Sequence, residues 1–188
     1  WIHWWKDGSK SIEQIWDNGK QVSHIGWYGG QRFENTYKDG ILDTQIGYDS
    51  NERIVHESTH NTADYSSYET SHYYHENGVL KDTMSMISRH GRGLTMHGKS
   101  EEWYESGQKK SESHYRDGVM IGHWTDWYDN GQMMFDIIND DNGELDGTHR
   151  YWFKNGVLSG EAHYSKGDYI GGSSWDATGQ CLNGGCLN

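Results

Sequence analysis

Three stretches carry residue types at spacings that could do chemistry. Gly93-Leu-Thr-Met-His-Gly98-Lys99-Ser100 fits the phosphate-loop pattern G-x-x-x-x-G-K-[ST]. There, backbone amides would cradle phosphates, Lys99 would reach the terminal phosphates and Ser100 would bind magnesium, between a preceding strand and a following helix. His56-Glu57-Ser-Thr-His60 fits H-E-x-x-H. On a helix its two histidines share a face and bind zinc, with the glutamate as general base. Asp64, His72 and His75 are candidates for a third ligand. Asn139-Asp-Asp-Asn-Gly-Glu144 suggests a calcium loop. With Gly143 at the loop's sixth position, however, Ile138 falls at the first and His149 at the last, and neither fits.

The elements that would have to hold these residues follow a repeat. Gly107, Gly131, Gly156 and Gly179 are spaced by 24, 25 and 23 residues. Gly118, Gly143 and Gly167 step by 25 and 24, and Gly98, Gly122, Gly147 and Gly171 by 24, 25 and 24. Three glycine series on one period mark a repeat architecture. Trp103-Tyr104, Trp127-Tyr128 and Trp152-Phe153 precede three of the turn glycines, and Trp175 precedes Gly179. Turns ending at Gly8, Gly19, Gly30 and Gly40 keep the half-period, with steps of 11, 11 and 10. Asn-Gly and Asp-Gly between alternating residues predict hairpins of strand, turn, strand, turn.

The repeat reassigns the motifs. Gly98 is a repeat glycine, and the residues after it are in register with strand and turn. Counting from Glu52, which stands where a turn glycine is expected, His56 to His60 also falls on a strand. There His56, Ser58 and His60 share one face and Glu57 takes the other. No catalytic residue, metal site or cofactor is assigned, and the only metal-ligand candidates kept are His56 and His60 as a strand pair. His114, His123, His149 and His163 sit at similar phases and read as sheet-surface residues. Trp-Tyr pairs could stack on sugars or bases. Their period already requires a structural role, with one ring expected on the packed side and its neighbour on the solvent side.

Composition agrees. The 188 residues include 25 Gly, 10 Trp and 13 Tyr but 0 Pro. With 3 Ala and 7 Leu, a mostly helical protein is excluded. Net charge is −12, which argues against nucleic acid and anionic membrane surfaces as partners. No apolar run approaches the roughly 20 residues of a membrane-spanning helix. The chain starts at Trp1 in place of Met, which implies removed upstream residues or a piece of a longer chain. Cys181 and Cys186 could close a small disulfide loop or stay as two thiols, so the compartment is left open.

The segment His114-Tyr-Arg-Asp-Gly-Val-Met-Ile-Gly-His-Trp-Thr-Asp-Trp-Tyr-Asp-Asn-Gly-Gln132 resembles the MORN-repeat variant of bacterial antitoxin-type proteins. Similar arrays occur in large DNA viruses and microbial eukaryotes. The resemblance covers 98–179 well, 1–40 moderately and 41–97 poorly. It implies an elongated antiparallel β-meander used for binding or assembly, with no catalytic constellation to carry over. A hairpin of this size cannot bury an aromatic face alone, so neighbours must stack. About 15 strands spaced by roughly 4.8 Å would give a sheet about 70 Å long.

The expectation is therefore all-β, with one repeat array over 1–180 and a Gly/Cys tail over 181–188. Residues 41–97 read as degenerate repeats, with an inserted element as the alternative. The expected function is a non-enzymatic scaffold for protein–protein contact, of antitoxin or immunity type. The alternatives are a subunit that self-assembles into a filament or particle, and a zinc hydrolase on His56, Glu57 and His60. The expected partner is a protein or a second copy, met through a sheet edge and an aromatic face. Trp1-Ile-His-Trp-Trp5 puts three tryptophans at such an edge.

Overall fold

The computed structural model describes residues 1–63, 66–89, 93–183 and 185–186. Asp64, considered above as a ligand, and Gly184 of an Asn-Gly pair lie outside the described residues. All regular structure among the described residues is β-strand. Two compact units divide the chain, Trp1–Leu94 and Thr95–Asn188. The first holds β1 (Ile2–Trp4), β2 (Lys10–Asp17), β3 (Lys20–Tyr28), β4 (Gln31–Lys38), β5 (Ile41–Tyr48), β6 (Ile54–Ala63), β7 (Ser66–Tyr74) and β8 (Leu80–Arg89). The second holds β9 (Thr95–Trp103), β10 (Lys109–Arg116), β11 (Val119–Trp127), β12 (Met133–Asn139), β13 (Gly147–Trp152), β14 (Leu158–Ser165) and β15 (Asp168–Ser174). Within each unit, every strand pairs antiparallel with its sequence neighbours, so each unit is an open meander. The irregular stretch 41–97 supplies β5 to β8 in unbroken order and opens β9.

Two kinds of turn alternate. The short kind has two central residues, both at positive φ, as at Asn18-Gly19 (48° and 79°) and Asp117-Gly118 (50° and 87°). That backbone matches the right-handed twist of the flanking strands. The longer kind follows an aromatic. At Tyr104 the carbonyl accepts from Gly107 N–H at 2.8 Å, and the amide donates to the Gln108 carbonyl at 2.9 Å. The same pair of bonds recurs at Tyr128, Phe153 and Asp176. It recurs also at Asp49, where Glu52 holds φ 59° in the glycine's place. All eleven repeat glycines named above take positive φ, from Gly98 to Gly179.

Strands open on bulges that the alternation did not signal: the extra residue lies in the following strand, as Ser11 opposite Trp4 and Met134 opposite Trp127. Ladder registers slip at His3/Trp4, Ile15/Trp16, Thr36/Tyr37, Gly47/Tyr48 and Tyr73/Tyr74 in the first unit. They slip at Asp126/Trp127, Tyr151/Trp152 and His163/Tyr164 in the second. In each of these the residue after the slip is a Trp or Tyr; on β10 the register slips also at Lys109/Ser111 and Glu112/His114. A bulge bends the strand, raises its twist and re-aims a side chain.

The core is correspondingly thin. Ile87 is the one apolar side chain fully buried among the described residues, alongside Ser58, Ser71, Ser113, Asn139 and His149. Stability must come from half-buried rings and ladder bonds. Gly172, not one of the expected repeat anchors, packs where a Cβ would press on the Glu161 carbonyl oxygen and the Ala162 Cα. Both neighbours are backbone and cannot yield. Gly172→Ala should therefore destabilise the second unit by about 2–3 kcal/mol, an overpacking cost. Gly167→Ala meets nothing within 4 Å and pays only for its φ of 83°, about 1–2 kcal/mol. Thermal unfolding of the two variants should rank them in that order.

Candidate interaction surfaces

The segment His56 to His60 lies within β6, so the helical geometry of a zinc protease does not form. Glu57 sits on the opposite face from both histidines and accepts a hydrogen bond from Tyr74 Oη at 2.7 Å. Burial, and then that carboxylate, push the Tyr74 hydroxyl up to about 12. His56 stacks on Tyr73 at 4.6 Å between centroids, and burial lowers its pKa. His72 opposes Glu57 across the β6–β7 ladder, on Glu57's face. His75 opens a turn. Among the described residues, no group of three or more His, Cys, Asp or Glu is placed to hold a metal ion.

A side-chain chain that the motif search missed runs across the face that His56 and His60 share. Ser58 Oγ and His60 Nε2 share a hydrogen bond of 3.0 Å, and His60 Nδ1 lies 3.8 Å from Glu69 Oε2. Glu69 Oε1 accepts from Ser71 Oγ at 2.8 Å. The order resembles a nucleophile, base and orienting acid. Ser58 is only 2% exposed, so a substrate cannot approach its Oγ. The serines act as fillers of a narrow sheet interior, with His60 satisfying Ser58 and Glu69 satisfying Ser71.

The phosphate-loop stretch enters β9 at Thr95, before Gly98, and continues as strand through Ser100. Lys99 does not face an empty cradle; it pairs with Glu101 at 2.7 Å and Glu112 at 3.2 Å. The calcium-like stretch is a turn. Asp140 Oδ1 accepts the backbone N–H groups of Glu144 at 3.0 Å and Asn142 at 2.8 Å, which hold its carboxyl below the usual carboxylate range. Cys181 and Cys186 are joined as a disulfide. Their loop folds back on β15, where Leu182 N–H donates to the Ser174 carbonyl at 2.9 Å.

The repeat aromatics have a division of labour different from the expected one. Both members of Trp103-Tyr104, Trp127-Tyr128 and Trp152-Phe153 are half-buried, whereas Tyr28 beside Trp27 is exposed. Each tryptophan ends a strand, and the tyrosine starts the turn and reaches along the sheet. Tyr104 Oη donates to the Trp127 carbonyl at 2.8 Å, and Tyr128 Oη to the Trp152 carbonyl at 3.0 Å. Asn130 and Asn155 donate from Nδ2 to Lys154 and Ala177 carbonyls in the next turn, at 2.9 and 2.8 Å. Tyr128→Phe should cost about 1 kcal/mol by removing one such bond. Chemical denaturation of the variant checks it.

Between tryptophans one hairpin apart sits a lysine. Lys109 Nζ lies 6.0 Å from the Trp103 ring and 5.9 Å from the Trp127 ring, and pairs with Glu101 and Glu112 at 2.6 Å each. Lys10 repeats this between Trp4 (6.0 Å) and Trp27 (5.8 Å), with Glu13 at 2.8 Å. Arg32 lies 3.8 Å from the Tyr48 ring centroid and pairs with Glu34 and Glu52. The signal was present as Trp-x5-Lys-x2-Glu at both Trp4 and Trp103. Only a repeat alignment that tracked charges would have found it. Burial alone would lower the Lys109 pKa, but the hydrogen bonds it donates to Glu101 and Glu112 raise it overall. Burial likewise opposes ionisation of Glu101, and the lysine hydrogen bonds outweigh it. For Glu112 the Lys109 hydrogen bond is the largest cause of a lowered pKa.

These shifts have a defined sign. The depressed glutamates stabilise the fold above their ordinary value of 4.5 and lose that contribution as pH falls through the folded value. The raised lysines stabilise below 10.5 and lose it above. Stability of the second unit should plateau between those limits. Lys109→Met keeps the stem between the rings but strips one partner from each glutamate. It should cost about 1 kcal/mol at neutral pH, discounted for the partial exposure of the site, and nearly nothing at pH 3. Melting curves at both pH values test this.

The family comparison places the MORN repeat variant at residues 96–117 and 145–166. The first match spans β9, β10 and the intervening turn, and the second spans β13, β14 and theirs. No curated protein matches the chain. No helix among the described residues is long and apolar enough to cross a membrane. Two segments of the second unit, about two periods apart in an all-strand meander, are thus similar to the MORN repeat variant.

Proposed function

We propose that the chain is a non-enzymatic repeat scaffold that binds another protein of basic character, in the manner of an antitoxin or immunity protein. One observation carries this reading. Residues 126–146 hold seven acids and not one Lys or Arg. They lie on the end of β11, on β12 and on the turns around it. Arg116 meets Asp141 at 3.1 Å and Lys154 meets Asp129 at 2.5 Å, from neighbouring turns. Such exposed pairs contribute little and exchange readily for a partner's cations. A one-signed field over a rigid surface speeds encounter and rejects like-charged competitors.

The test is binding of a partner recovered from the source cell at low salt, followed by kinetics with the purified pair. Asp129→Asn with Asp141→Asn should slow association about tenfold and leave dissociation nearly unchanged, because rim charges act mainly on encounter. Failure to recover any protein partner at low salt, or association indifferent to both salt and the double substitution, overturns the reading.

A further inference from the structure

The alternation of turns breaks at Tyr28. Trp5 to Ser9 and Asp49 to Arg53 make the longer kind, with the same two backbone bonds as Tyr104 to Gln108. Between them, where the period calls for another of that kind, Tyr28-Gly29-Gly30-Gln31 makes the short kind, with φ of 60° and 78° at its glycines. The turn is one residue shorter than its neighbours on either side. The side chain that should close the gap is shortened too. In the second unit Gln108 and Gln132 lay their amides against Gly131 and Gly156 of the next turn, where a Cβ would come within 3.1 and 3.0 Å. Ser9 stands at the position of those glutamines, and its hydroxyl bonds back to Asp7 Oδ1 at 2.6 Å. A Cβ on Gly29 would meet nothing within 4 Å.

The space left between these three turns is a hollow of about 440 Å³, walled by Ser9, Lys10, Trp27, Tyr28, Arg32 and Glu52. Tyr28 is 76% exposed, whereas Tyr104 and Tyr128 are half-buried and bond to the next turn's tryptophan carbonyl. Its ring is thus released from the lateral bonding that the other repeat tyrosines perform. Arg32 is held rigidly, 3.8 Å from the Tyr48 ring centroid. Among the described residues, Glu34 and Glu52 take up three of its five N–H groups, which leaves two for a ligand.

We propose that this hollow binds a neutral pyranose sugar. Charge selects against an ion. Lys10 already pairs with Glu13 at 2.8 Å, and Arg32 with Glu34 and Glu52. An anion or cation would have to break those pairs, and an uncharged polyol does not. The C–H face of a sugar ring packs on the rings of Trp27 and Tyr28, and its hydroxyls bond to the guanidinium of Arg32 and the carboxylate of Glu52. Small-ligand sites are concave, with apolar walls and a few fixed polar groups, and run from about 300 to 1,000 Å³. This hollow lies in the first unit and the acidic surface in the second, and neither proposal depends on the other.

The experiment is calorimetric titration of the full chain with the methyl glycosides of glucose, galactose, mannose and N-acetylglucosamine, and with inorganic phosphate. At least one glycoside should bind with a dissociation constant of about 1 mM, and phosphate should not displace it. Ser9→Gln supplies the side chain that fills the corresponding gaps of the second unit, and should abolish binding with circular dichroism unchanged. Tyr28→Ala, at an exposed ring, should weaken binding about tenfold without moving the melting temperature. Absence of saturable binding by all the glycosides up to about 50 mM overturns the proposal. So does binding that either substitution leaves unchanged, or displacement of the glycoside by phosphate.

Discussion

Each strand of this protein can pack only against the strands before and after it in sequence. That constraint governs the rest. A meander sheet buries little by folding over itself, which is why Ile87 is the lone fully buried apolar side chain among the described residues. Cohesion must run laterally, from hairpin to hairpin. The aromatics at strand ends are the means, each standing opposite a bulge in the strand that follows. Tyrosine hydroxyls and turn asparagines then lock each repeat to the next through backbone carbonyls.

Lysine and glutamate fill the spaces that leucine would fill in a thicker protein. A lysine stem lying between two tryptophans contributes apolar contact, a cation for the ring faces and a partner for two carboxylates. A sheet open to water on its faces tolerates such charges, because neither partner loses all of its hydration. The same openness limits catalysis. The Ser58–His60–Glu69 chain has the order of a hydrolytic relay, yet its serine lies closed within the sheet where a substrate cannot reach.

The period of turns was written plainly in the sequence. Glycine with Asn or Asp at fixed steps has few backbone solutions, and aromatics ahead of each turn repeat the same beat. That sufficed for an all-strand meander, for the strand reading of His56 to His60, and for discounting the phosphate-loop and calcium-loop patterns. Even Glu52 was legible as a turn position, although its residue type argues against a positive φ of 59°. Two matched segments of the MORN repeat variant fall where the glycine spacing is most regular.

Other features needed the folded chain. Strict alternation predicts side-chain faces only while the register holds, and one extra residue in the strand opposite Trp4, Trp16, Trp127 or Trp152 resets it. Hence the expected split of each Trp-Tyr pair into a packed and a solvent ring gave way to two half-buried rings. The lysine cages join residues on three strands, and the serine–histidine–glutamate chain joins two, so neither has a local spacing that announces it. Gly172 is critical because of the Glu161 carbonyl opposite, a neighbour eleven residues away. Local backbone chemistry determined the turns and therefore the strand order. Which side chains meet across strands depended on register, and register is a property of the assembled ladder.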